Sequence, residues 1–210
     1  MTSREMKNEV YSTIAGIAKA FSNPNRLEIL DLLSNGEKSV EEVAAQTAIS
    51  FANASQHLQV LKKARLVRLR KDGNKVIYSL ANRKVAEAWT AIKNLAETVE
   101  PTIGLTLQQY RRARQTDQSI CLTELDSARY QLLDVRPAGE YHYAHLPGAL
   151  SIPVNELELR LAELPKEKTI VAYCRGTYCT MADAAVQLLR SRGFNAVRLE
   201  ESPADASNPA

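Results

Sequence analysis

Apolar and polar positions in the first part of the chain repeat at helical spacing. In "SNPNRLEILDLLS", Leu27, Leu30 and Leu33 follow Asn23 in a capping position and Pro24 in the first turn, which predicts a short amphipathic helix. "SVEEVAAQTAIS" predicts a second helix, capped by Ser39, with Glu41 and Glu42 where they suit the helix dipole. After Ala48-Ile49-Ser50, "FANASQHLQVLKKA" sets Ala54, Leu58 and Leu61 on one face of a third helix and Ala52, Asn53, Gln56, Gln59 and Lys63 on the other. The period then changes to two. "LVRLR" and "KVIYSL" read as strands joined around Lys71-Asp72-Gly73-Asn74, a strong hairpin signal. Three helices followed by a hairpin make a mainly α winged helix-turn-helix, assigned to residues 1–100.

"EPTIGLTLQQYRRARQTDQ" opens with Pro101, holds Gly104 and is read as a connector over residues 101–117 with a helical turn. From Ile120 the runs "QLLDV", "GALSIP", "TIVAY" and "NAVRL" alternate with helix-like "NELELRLAEL" and "MADAAVQLLRSRG". That alternation predicts an α/β domain with a mostly parallel sheet over residues 118–200. Residues 201–210 are polar and read as a disordered tail.

Composition adds limits rather than a fold. Hydrophobic content of 45% and charged content of 24% are those of a globular protein, and no apolar run approaches the length of a membrane span. A cytoplasmic location and no membrane partner follow as expectations. Three cysteines do not make a disulfide framework, so each is read as a free thiol. Charge is uneven: 18 Lys and Arg face 12 Asp and Glu through residue 117, and 9 face 12 beyond it. Lys62, Lys63, Arg65, Arg68, Arg70, Lys71 and Lys75 stand together with Asp72 as the single acid among them, which points to a polyanionic partner.

The third helix and the wing suit double-stranded DNA. Asn53, Ser55, Gln56 and His57 are small or amide-like side chains at the start of the helix, able to pair with base edges in the major groove. Arg68, Arg70, Lys71 and Lys75 on the wing would meet phosphates. The stretch from Asn23 to Leu80, above all Ser55-Gln56-His57-Leu58 and the Asp-Gly wing, resembles the ArsR/SmtB (arsenical-resistance repressor) family of bacterial winged-helix regulators. The resemblance implies a homodimer joined by outer helices, here about Arg4 to Phe21 and Asn82 to Thr98, and a roughly palindromic operator. Arg65 departs from the family, whose members usually have a turn glycine there. "EKSVEEVA" lacks the Cys-x-Cys-Asp signature of the metal-sensing members, so no metal site is expected.

In "VAYCRGTYCT", Cys174 follows a strand and precedes a helix. A loop in that position can aim backbone N–H groups, with the positive end of the helix, at an anion or a thiolate. A plain buried cysteine is the structural alternative. "LLDVRPAGEYHYAHLPGALSIPV" followed by "IVAYCRGTYCTMADAAVQLLRSRGF" is similar to the rhodanese (thiosulfate/persulfide sulfurtransferase) domain. The resemblance makes Cys174 the residue that takes sulfane sulfur from a donor such as thiosulfate or a persulfide. It makes Arg175, Gly176, Thr177, Tyr178, Cys179 and Thr180 the loop around it, and Asp134 and Arg136 braces that do not react. No cofactor is implied. Related phosphatases have Arg six positions after the cysteine, where this chain has Thr180. Two further departures stand out: Cys179 occupies a position that is often basic, and the family's Gly-Gly turn, Trp and final helix are missing, which would uncover part of the sheet. Cys121 is read as a small core residue.

These readings combine into a DNA-binding repressor whose rhodanese-like module senses or transfers sulfane sulfur through Cys174. A sulfurtransferase with an accessory DNA-binding domain, and a regulator with an inert module, remain open alternatives.

Overall fold

The computed structural model describes residues 1–203, and the chain divides into two compact units at residues 95 and 96. The predicted tail from 204 onward lies outside the described residues. Its first part does not: Ser202 is buried, and the Glu201 carboxylate accepts the Leu122 N–H at 3.1 Å. Among the described residues no helix is long and apolar enough to cross a membrane.

The first unit opens with α1 (Ser3–Phe21), started by a capping box between Thr2 and Glu5. Next come α2 (Pro24–Ser34), capped by the Asn23 side chain, and α3 (Val40–Gln46), started by a capping box between Ser39 and Glu42. Ala48, at φ 54°, turns the chain into α4 (Phe51–Lys63), which Ser50 caps. The predicted apolar face is the observed one: Ala54, Leu58 and Leu61 are fully buried with Ile29, Leu30 and Val43. Each such leucine contributes roughly 1.5–3 kcal/mol by leaving water.

The wing is β2 (Val67–Asp72) paired antiparallel with β3 (Lys75–Leu80), with Gly73 in the left-handed region at φ 57°. A two-residue strand β1 (Lys38–Ser39), which the alternation did not announce, extends the sheet beside β3. α5 (Arg83–Val99) follows, and its Trp89 indole donates to Asp31 on α2 at 2.7 Å.

The second unit is not preceded by an open connector. α6 (Thr102–Arg112) fills most of residues 101–117, because Pro101 occupies the cap position at φ −59°, where its missing N–H leaves no helical bond unmade. The sheet that follows is wholly parallel. It comprises β4 (Ser119–Ile120), β5 (Tyr130–Asp134), β6 (Leu150–Ser151), β7 (Thr169–Tyr173) and β8 (Ala196–Leu199), in the order β4-β8-β7-β5-β6. α7 (Ala138–Tyr143) follows β5, and α8 (Met181–Ser191) links β7 to β8.

Three sequence expectations change here. "NELELRLAEL" forms 3-10 turns over Leu157–Glu163, broken at Arg160, instead of an α-helix. The segment has no side-chain cap and Pro165 follows closely, so it is too short to sustain α-helical propagation. Cys121 is half-exposed and its thiol faces Glu200, outside the core. The expected uncovering of part of the sheet does not reach the centre of its second face, where Val171, Tyr173 and Leu199 are buried with Leu146 and Ala149, and Ile120 and Leu122 pack on them.

Arg65 holds φ 60°, the conformation for which a turn glycine is suited. Arg65→Gly is expected to raise the urea midpoint by an amount equivalent to a few tenths to about 1 kcal/mol, and Arg65→Val to lower it by about 1–2 kcal/mol. Equal midpoints for the three proteins would remove the strain argument.

Candidate functional site

From Ile170 onward β7 is fully buried and its side chains alternate: Ile170 and Ala172 face the α8 side of the sheet, Val171 and Tyr173 the other. Cys174 continues that alternation. It is buried against Ala182, Ala185 and Val186 of α8, at the carboxyl end of the central strand. The loop to α8 folds back sharply, with Gly176 at φ 104° and the Cys179 N–H bonded to the Gly176 carbonyl at 3.2 Å.

This turn brings the two sulfurs together. The Cys174 thiol has two acceptors on one residue, the Cys179 carbonyl at 3.4 Å and the Cys179 sulfur, and both cysteines are free. Backbone N–H groups converge on them: Arg175 and Ala182 on Cys174, Arg175 and Met181 on Cys179. Such a concavity favours one negative charge on the pair.

The first charge falls to Cys179 rather than to Cys174. The hydrogen bond from Cys174 lowers Cys179 to about 7, with the Arg175 and Met181 amides and the Arg175 charge acting the same way. Burial, followed by the bond to Cys179 and its charge, pushes Cys174 well up. The deeper sulfur keeps the proton. Proton exchange between the two sulfurs links the two forms, so the pair takes on one shared negative charge as pH rises through about 7.

The loop is fixed from three directions. Arg175 makes a two-pronged ion pair with buried Glu140 of α7, at 2.6 and 2.9 Å. Arg111 of α6 donates to the Thr177 carbonyl and lies 3.6 Å from Asp183 of α8, whose carboxylate also accepts the Thr116 hydroxyl at 2.7 Å. The Tyr178 hydroxyl donates to Glu97 at 2.7 Å, within the same unit. Thr180 ends the loop at the start of α8 without capping it through its side chain.

Asp134 and Arg136 act one step away from the loop. The Arg136 guanidinium donates to Asp134 at 2.6 and 2.9 Å and to the Ala144 carbonyl at 2.7 Å, and both side chains are buried. The Tyr173 hydroxyl accepts the Leu146 N–H at 3.2 Å and bonds Asp134, which fixes the residue immediately before Cys174. Burial and the Asp134 charge raise the Tyr173 phenol, so it stays protonated. Glu140, Arg111 and Asp183 were not singled out as site residues from the sequence. The one available signal was Asp183, a carboxylate on the apolar stripe of "MADAAVQLLRS", which calls for a buried cation.

In the first unit, Gln56 is exposed near the start of α4, Asn53 and Ser55 are half-buried beside it, and Phe51 is exposed at its first position. His57 sits differently from the others. The Asn25 amide donates to its Nε2 at 3.2 Å, and burial, then the charge of Arg26, lowers its pKa, so it ties α2 to α4 as a neutral ring. Arg68 bonds Ser79 at 3.0 Å across the wing, and Arg70 pairs with Glu37 at 3.0 Å and Asp72 at 2.9 Å. Lys71 and Lys75 are exposed at the wing tip.

Comparison with known proteins matches both halves. The family described as bacterial regulatory protein, arsR family, fits residues 23–68, and the rhodanese-like domain fits residues 117–202. The HTH-type transcriptional regulator Rv0324 of Mycobacterium tuberculosis is 37% identical over 201 residues, covering 94% of this chain and 88% of that protein. The arsenical resistance operon repressor of Staphylococcus xylosus is 41% identical over 70 residues, covering 33% of this chain and 67% of that protein. Among solved structures, the homodimeric winged helix-turn-helix DNA-binding domain of Mb0332 from Mycobacterium bovis is 35% identical, with a TM-score of 0.43, over 46% of this chain and 88% of that one. With a relative of similar architecture along nearly its whole length, the chain belongs to the arsR family of helix-turn-helix transcriptional regulators, as a member with a rhodanese-like domain behind its winged helix.

Proposed function

We propose that this regulator is a repressor that binds a palindromic double-stranded operator as a homodimer and leaves it when sulfane sulfur reaches Cys174. The observation behind this reading is the division of chemistry between the units. All three cysteines lie beyond residue 120, and two of them share one thiolate in a nest of backbone N–H groups. The DNA-binding unit has no thiol of its own.

On the DNA side, Asn53, Ser55 and Gln56 read base edges, while Arg68, Arg70, Lys71 and Lys75 meet phosphates. Arg70 does so by exchanging Glu37 and Asp72 for a phosphate, and His57 holds the helix at its angle. Support for the dimer comes from α1, where Met6, Val10, Tyr11, Ile14 and Ile17 are exposed at helical spacing. On the sulfur side, Cys174 takes the sulfur atom, and Asp134 and Arg136 hold the strand end that aims it. Within the second unit, Tyr178 of the loop bonds Glu97, so a change of the loop would be felt first at that residue.

Three outcomes are expected. Operator selected from random duplexes should bind wild-type protein about 5–150-fold more weakly after treatment with a hydropersulfide, and Cys174→Ser should bind equally with and without it. Unchanged binding of the wild type would end the sensing role. Gln56→Ala should lose about 1–3 kcal/mol on the selected site and relax its sequence preference, whereas Lys71→Ala should weaken all duplexes alike and reduce the salt slope by about one. Because the reacting form is the shared thiolate, alkylation of the loop pair by iodoacetamide should rise as pH climbs through about 7, below the range of an ordinary thiol, as mass spectrometry at a series of pH values would record.

A further inference from the structure

Cys179 stands beside Cys174 in the position of a second reactant. The turn holds its carbonyl 3.4 Å from the Cys174 sulfur, and its thiol is the less buried and more readily ionised of the two. The cations of the site are already engaged. Arg175 makes its two-pronged pair with Glu140, Arg136 with Asp134, and Arg111 bonds the Thr177 carbonyl beside Asp183. A dianionic leaving group such as sulfite would need one of these guanidiniums to abandon a buried carboxylate, which is strongly unfavourable.

We propose that Cys179 is the resolving nucleophile of the site, that the sulfur donor is a hydropersulfide rather than thiosulfate, and that the product is an internal Cys174–Cys179 bridge. The inference rests on the sulfur-receiving role of Cys174 proposed above. In the first step the Cys174 proton moves along the thiol–thiol hydrogen bond to Cys179. The Cys174 thiolate then attacks the outer sulfur of RS–SH, breaking the S–S bond and forming Cys174–S–SH, and RS⁻ leaves with the electron pair. RS⁻ takes the proton from Cys179 and departs as RSH.

In the second step the Cys179 thiolate attacks the Cys174 sulfur. The new S–S bond joins the two cysteines, and the outer sulfur leaves as HS⁻ with the electron pair. The sum is Cys174–SH plus Cys179–S⁻ plus RSSH giving the bridge, RSH and HS⁻. Two cysteine sulfurs are oxidised by one electron each, and the sulfane sulfur is reduced to sulfide.

The test uses the full chain as wild type, Cys179→Ser and Cys179→Ala, each treated briefly with glutathione persulfide and separately with thiosulfate. Intact mass, peptide mapping and released sulfide are read together. With the persulfide, wild type is expected to lose the mass of two hydrogens and to release one sulfide per chain, with the bridge mapped to Cys174 and Cys179. Both variants, which lack the proton acceptor, are expected to gain one sulfur atom on Cys174 more slowly than wild type reacts, and to release none. Thiosulfate is expected to modify wild type at least tenfold more slowly.

A wild type that retains the added sulfur on Cys174 as the variants do, without sulfide release, overturns the resolving role and leaves the sulfur-receiving role standing. Equal rates with thiosulfate overturn the donor class. If neither wild type nor either variant gains sulfur or a bridge, the sulfur-receiving reading itself falls, and this inference with it.

Discussion

The second unit depends on one requirement: the backbone N–H groups that converge where β7 meets α8 need an electron-rich partner that fits a buried corner. Two cysteine sulfurs provide it by sharing a single charge. Full ionisation of both would place like charges in contact, so the pair carries at most one charge, gained as pH rises through about 7. The surrounding buried charges then make sense as a frame. Glu140 balances Arg175, and Asp183 stands between Arg111 and Arg198, each 3.6 Å away. Asp134 with Arg136 fixes the strand end from the other side. Removing one member of such a buried pair costs about 3–5 kcal/mol, so the loop has little freedom to drift.

Local rules carried the sequence reading far. Asn23 and Ser39 cap the helices they were expected to cap, and the alternation of "TIVAY" places Cys174 on the α8 face. The unusual residue at position 65 was legible because a turn conformation has a preferred occupant, and Arg65 occupies it at φ 60°. What could not be read were partnerships between distant residues. Glu140 and Arg175 lie 35 positions apart, Arg111 and Thr177 lie 66, and Asn25 and His57 lie 32. No periodicity encodes such pairs; they exist only once the sheet and helices have brought the chain together. The same holds for the order of ionisation of the two thiols, since burial and a hydrogen bond decide it and neither is visible in "CRGTYC".

The winged helix follows the opposite design. Its core is apolar, from Ile29 and Leu30 to Leu58 and Leu61, while the charged groups of its wing are exposed and paired at the surface. In the proposed reading, a surface that meets phosphates gains from charges that are only loosely paired, because solvent screens such pairs and exchange costs little. The thiol pair gains from the reverse, since a reactive sulfur needs exclusion from water and fixed dipoles. One fold could not serve both demands at one site, and the chain separates them into two units with their own cores.

Consequences of converting the thiol pair into a bridge follow from the same electrostatics. The anion disappears, and the amides of Arg175, Met181 and Ala182 lose the acceptor around which the loop is wound. Arg175 and Glu140 would then hold their pair without the neighbouring negative charge that now favours the cation. The links nearest to that lost charge are the Thr177 carbonyl bonded to Arg111 and the Tyr178 hydroxyl bonded to Glu97, both within the second unit. A two-electron change of this kind at sulfur would thus act first as the loss of one charge, at the loop that those bonds hold.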